Sequence, residues 1–186
     1  MNIFRKHLVT LTLTMSLLLS LPWAYAQWVP PPEKPAPAVP GIISLNQVAE
    51  FVYPLVNTVR RQHGLPALAR DPGLEVVALT YSRDMLRRKF FGHTNPEGLS
   101  LMARLVSRYQ QPFTKAGENI WTGSGYDLAN APLLARMMMQ SWLDSPGHRD
   151  NLLDPRFTHL GVGVAARGRE VRATQLFIQR PTGQNQ

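Results

Sequence analysis

The order of periodicities along this chain predicts an α+β domain in which a small antiparallel sheet is flanked by helices. Two observations carry that class. Apolar residues recur at helical spacing through several separate stretches, while alternating β-rich patterns are confined to one central segment and two C-terminal ones. The last two segments are joined by a turn at Arg167-Gly168-Arg169, which makes them a hairpin. Helices, strand, helices, hairpin is therefore the expected order.

The first residues belong to a different kind of segment. Arg5 and Lys6 precede an apolar run from Leu8 to Leu21, which ends at the small-x-small sequence Ala24-Tyr25-Ala26. That order marks residues 1–26 as a secretory signal peptide. The run falls short of the roughly 20 apolar residues a spanning helix requires, so no membrane span is expected after cleavage. With no cysteine in the chain, an acylated lipoprotein anchor is excluded. Residues 27–43 hold Pro30, Pro31, Pro32, Pro35, Pro37 and Pro40, a density that favours an extended linker. The folded domain is expected over 44–182, followed by a short tail, 183–186. The protein should be exported, to a periplasm or to the outside of the cell.

Secreted domains of this size usually lean on disulfides. This one must be held by packing alone, which suits a bacterial envelope protein. The net charge is +8, and it falls to +6 when Arg5 and Lys6 leave with the signal peptide. Attraction to anionic lipid or cell-wall polymer follows from that sign. Nucleic acid is not an expected partner, since export removes it and no binding motif occurs.

Taken in order, the first helix is signposted by Ser44 and Gln47, spaced as a capping box, with Ile43 and Val48 as its hydrophobic staple. Leu45, Val48, Val52, Leu55, Val56 and Val59 form its stripe, Pro54 should kink it, and His63-Gly64 ends it. Asp71-Pro72 caps a second helix with Leu74, Val77, Ala78, Tyr81 and Met85 inward, running out near Lys89. A shorter helix is expected from Ser100 to Tyr109 with Leu101, Leu105 and Val106 inward. Ala116–Trp121 reads as a strand. Leu133–Trp142 reads as a helix with Met137, Met138 and Trp142 in the core, and Thr158–Ala166 and Val171–Ile178 are the hairpin strands.

Three phrases stand outside this pattern: F-F-G-H at Phe90–His93, G-E-N at Gly117–Asn119, and S-P-G-H-R-D-N-L-L at Ser145–Leu153. Each sets a histidine or carboxylate beside glycine where neither amphipathicity nor charge balance asks for one. Separated residues of metal-binding or proton-shuttling types are what an assembled site looks like in sequence. Ser145-Pro146-Gly147-His148 reads as a helix start with Ser145 as N-cap and His148 at the third position. The partial positive charge of a helix N-terminus should keep His148 neutral, the form that binds metal or accepts a proton.

These phrases, with G-E-N-I-W extended to Trp121, S-W-L-D before Ser145 and the closing G-V-G-V and T-Q-L-F, resemble the CAP superfamily. They follow the order and spacing of SCP-type domains of pathogenesis-related proteins, venom allergens and cysteine-rich secretory proteins, here in a cysteine-free bacterial form. The resemblance runs from about Leu45 to Ile178. It implies a three-layer α-β-α sandwich, extracellular location, and a cleft lined by two histidines and two acidic residues. Carried over by motif, the cleft residues are His93, Glu118 and His148. The second acid of many eukaryotic relatives falls at Ser145, which departs from any mechanism needing two carboxylates, and Asp144 need not point the same way.

The resemblance implies a divalent cation, zinc foremost, held weakly by His93 and His148, and a lipid, sterol or cell-envelope ligand in a separate apolar groove. Two alternatives remain open at this point. A hydrolase could use metal-activated water with Glu118 as general base, or a relay of Ser145, His148 and Glu118 with serine as nucleophile. A non-catalytic structural or interaction role in the envelope is the other.

Overall fold

A computed structural model describes residues 41–181. The expected signal peptide, most of the expected proline-rich linker and the expected tail lie outside the described residues. The elements are β1 (Ile42–Ser44), α1 (Asn46–Gln62), β2 (Ala69–Arg70), α2 (Pro72–Arg88), α3 (Leu101–Arg108), β3 (Lys115–Ser124), α4 (Ala131–Asp144), α5 (Pro146–Leu153), β4 (His159–Arg167) and β5 (Glu170–Gln179).

The sheet runs β1-β4-β5-β3 with antiparallel neighbours, and β2 pairs parallel with the start of β4. One face carries Leu160, Val162, Val164, Ala173 and Phe177, which pack with α1 and α4 residues such as Val52, Val56, Met138 and Trp142. The other face carries Leu176 and Ile178, packed with Leu74, Val77 and Ala78 of α2 and Leu105 of α3. That alternation is the period-two geometry of a strand buried on both sides. Three layers result: α1, α4 and α5, then the sheet, then α2 and α3.

Glycine sets how closely α2 lies on the sheet. A Cβ added at Gly163 would sit 2.1 Å from the Leu79 backbone nitrogen, and one at Gly161 2.5 Å from the Leu74 carbonyl carbon. The G-V-G-V run therefore presents bare backbone to α2 and valine to the opposite core. Ser82 of α2 uses the closeness to donate to the Gly163 carbonyl at 2.9 Å. On the far side, buried Arg60 donates to the carbonyls of Pro66 and Leu152 at 2.8 Å and of Asp154 at 3.0 Å. It ties the end of α5 to α1.

Four local expectations are corrected. The capping box does not form: Ser44 pairs with Ala165 in β1, and its hydroxyl accepts from Arg83, so Leu45 stands at the N-cap with no side-chain bond. Ile42 and Ile43 thereby leave the expected linker for the sheet. The strand ladder has out-competed the cap for the same backbone. Val106, expected inward, is 75% exposed, and Arg104 is buried instead. Met137 is also exposed, because α4 turns Leu134, Ala135, Met138, Met139 and Trp142 inward. Pro54 lies inside α1 as expected, and the helix runs on to Gln62.

The second helix follows its signals. Asp71 accepts from Leu74 N at 3.0 Å, and Lys89 closes the other end in the left-handed conformation. No helix among the described residues is long and apolar enough to cross a membrane.

Candidate functional site

Strand β3 is an edge of the sheet, and the loop after α2 and the start of α5 meet beside it. The loop is fixed before it reaches His93. Phe90 packs edge-on against Tyr81, with ring centroids 5.9 Å apart, and the Tyr81 hydroxyl donates to the Gly92 carbonyl at 2.6 Å. Burial holds the Tyr81 phenol protonated, its pKa pushed up to about 12.

His93 itself is 55% exposed by side chain, yet its Nδ1 lies 2.8 Å from Glu118 Oε1. A carboxylate can only accept there, so Nδ1 carries a proton, and in the neutral ring Nε2 then keeps its lone pair for a ligand. Glu118 comes from β3 with only 2% of its side chain exposed. Its second oxygen pairs with Arg104 Nη2 from α3. The same guanidinium donates through Nη1 to the carbonyls of His93 at 2.8 Å and Leu99 at 3.1 Å. It also lies over the Tyr81 ring, 3.5 Å from the centroid. Arg104 thus holds His93 twice, through Glu118 and through its own backbone.

His148 arrives from the opposite layer. Trp142 Nε1 donates to the Ile120 carbonyl at 3.1 Å, fixing the end of α4 against β3, and α5 begins at Pro146 directly after it. Asn119 Nδ2 donates to the His148 carbonyl at 3.0 Å, and Asn151 bridges the Asn119 side chain and the Glu118 carbonyl. Gly117 leaves room for this: a Cβ there would come within 2.8 Å of both Asn151 Oδ1 and the Phe157 ring. The G-E-N and R-D-N phrases are one interlocked unit. His93 and His148 face each other with ring centroids 6.3 Å apart, tilted by 49°.

His148 titrates below the ordinary histidine range, first because it is partly buried and second because His93 lies near. The neutral state expected from the helix start is therefore held by desolvation foremost. Ser145 occupies the N-cap position, but its hydroxyl makes no capping bond. Asp144 accepts from Gln140 Nε2 at 2.8 Å on the exposed side of α4 and does not join the cleft. His63 bonds the Val59 carbonyl at the end of α1, apart from the site.

The arrangement decides what Glu118 can do. With one oxygen on His93 and the other on Arg104, it orients an imidazole rather than standing free as a base for water. It touches His93, not His148, so the Ser145–His148–Glu118 relay is not assembled in this form. For a metal, the donors are the two imidazoles; no group of three or more histidine, aspartate or glutamate side chains among the described residues is arranged around a common point. Two imidazoles on a tetrahedral zinc, bonded at about 2.0–2.1 Å, place their ring centres about 5 Å apart. The two ring centres stand 6.3 Å apart here, wider than that spacing. A cation held here would have these two imidazoles as its protein ligands.

Arg104 was the residue hidden from sequence reasoning. Its signal was present, since it stands three residues after Leu101 and beside Leu105, on the inward stripe of α3. A cation on an apolar stripe needs a buried anion.

Similarity to known proteins agrees with this fold. The uncharacterized membrane protein YlbC of Bacillus subtilis is 36% identical over 129 residues, covering 69% of this chain and 34% of that protein. The chain spans less than half the length of the curated relatives it matches. An extracellular protein containing an SCP domain from Bacillus anthracis superposes with a TM-score of 0.60 at 36% identity, covering 73% of this chain and 41% of that one. An outer surface protein of Borrelia burgdorferi shares the fold, with a TM-score of 0.64 at 23% identity, over 75% of this chain and 98% of that one. The sequence profile of CAP, the cysteine-rich secretory protein family, matches residues 53–177, and the chain belongs to that family.

Proposed function

We propose that this is an exported CAP-domain protein whose cleft holds a divalent cation, zinc foremost, between His93 and His148. One observation carries the reading: an imidazole oriented by a buried Arg104–Glu118 pair, its Nε2 free, faces a second imidazole kept neutral. Carboxylate-held histidine is the usual partner arrangement of a metal ligand. Two protein ligands make the site weak and water-completed. Export is supported by the leader-like N-terminus and by the extracellular relative. A lipid or cell-envelope ligand is the proposed partner, supported by Met102 and Val106, which expose an apolar strip one turn long on α3.

The test is calorimetric titration with zinc of wild-type protein and of a His93→Ala/His148→Ala double variant. Binding lost in the double variant supports the reading, and binding unchanged in it removes the cleft from the account.

A further inference from the structure

We propose that the cavity between α2 and α3, separate from the histidine pair, is a binding site for a phosphate-bearing ligand. Its volume is about 510 Å³, within the range of small-molecule sites. Its walls carry Arg83 and Arg87, four apart on α2, and Arg104 and Arg108, four apart on α3, with Arg88 as a fifth arginine. Like charges at that spacing repel within a helix. An anion entering the cavity would answer whatever part of that charge the neighbouring acids leave uncompensated.

The acids nearby do not cancel the arginines. Asp84 is shared between Arg87 and Arg88, and Glu97 is taken by Arg88. Arg104 is committed to Glu118. With Arg83 set aside, four guanidinium groups face Asp84, Glu97 and Glu118, so positive charge remains in surplus. Arg108 carries it, forming no ion pair with any described residue. Thr80, Asn95 and Ser107 add neutral polar groups, while Val77, Tyr81 and Leu99 offer apolar wall for an organic portion.

The chemistry selects the ligand class. Guanidinium forks match the oxygens of phosphate or carboxylate in paired hydrogen bonds. Arg87, whose Nη2 is spent on Asp84, and Arg108 line the cavity from opposite helices, and guanidinium donors on two walls call for more acceptor oxygens than one carboxylate has. A phosphate supplies them. A concave basic wall also raises the local concentration of anions. Such a phosphate can belong to a lipid headgroup or to a soluble or polymeric ester, and the recognising residues are the same.

The experiment uses the purified exported protein at low ionic strength, with inorganic pyrophosphate as calorimetric probe. The variants are Arg87→Gln/Arg108→Gln, neither residue belonging to the histidine cleft, and Arg61→Gln/Arg169→Gln, which removes equal charge elsewhere. Saturable binding is expected in the wild type, about tenfold or more weaker in the first pair and within about threefold in the second. Arg108→Gln alone, which breaks no pairing in the fold, should weaken binding in the same direction. A flotation arm compares phosphatidylglycerol with phosphatidylcholine vesicles. Arginine-dependent retention on the former assigns the phosphate to a headgroup, and retention on neither, with pyrophosphate binding intact, assigns it to a soluble or polymeric ester. Absence of saturable pyrophosphate binding, or equal weakening in both charge-matched pairs, would overturn the proposal.

Discussion

Replacing Arg104 by alanine leaves the Glu118 carboxylate buried without its cation. Removing one partner of a buried ion pair costs about 3–5 kcal/mol, and denaturant unfolding should show a loss of that size. Lysine at the same position keeps the charge but not the fork that reaches both Glu118 and the His93 carbonyl, so it should recover only part. His148 provides a second residue-level prediction. The unfolded chain binds a proton near pH 6.5, whereas the folded site accepts it only at lower pH. Stability should be full above about pH 6.5 and be lost as pH falls through the lower folded value. His159 is depressed in the same direction by burial and then by Arg180, so His148→Gln should reduce the pH dependence of the melting temperature without abolishing it. A pH profile identical in wild type and His148→Gln would contradict the placement of this imidazole.

At the scale of elements, the two glycines of β4 and the start of α5 make opposite predictions. Gly163→Ala drives a methyl group into the α2 backbone, where no flexible side chain can yield. Overpacking of this kind costs about 1–3 kcal/mol, and chemical denaturation should find Gly163→Ala at or above the upper end. Ser145→Ala, by contrast, should change stability by no more than about 0.5 kcal/mol, because the hydroxyl makes no capping bond in α5. The contrast also shows what could be read in advance. The long helices and the hairpin were legible because their stripes and turn residues agree with their packing. Strands β1 and β2 were not, since three and two residues carry no periodicity and are ordered by pairing with β4. Ser44 and Ser145 both occupy cap-like sequence positions and neither hydroxyl caps; Ser44 is drawn into the sheet and accepts from Arg83 instead.

The whole molecule gathers its site by placing an edge strand between two helical layers, so residues 93, 118 and 148, far apart in sequence, converge through the tertiary fold. Motif phrases named those three; the buried cation behind them lay in an ordinary-looking helix and came to light only with the packing. Metal binding should follow the protonation of the pair: cation affinity measurable near pH 7.5 and falling steeply below about pH 6, as protons compete for imidazoles with a reference value near 6.5. Glu118→Gln should weaken it by about 10–100-fold, the usual effect of losing an orienting partner. The most direct measurement of the central claim is nitrogen NMR of histidine-labelled protein during zinc titration at pH 7.5. His93 Nε2 and a ring nitrogen of His148 are expected to shift together, while His93 Nδ1 stays protonated on Glu118 and His63 and His159 stay unchanged. Zinc shifts spread equally over His63 and His159, or absent from His93 and His148, would contradict it.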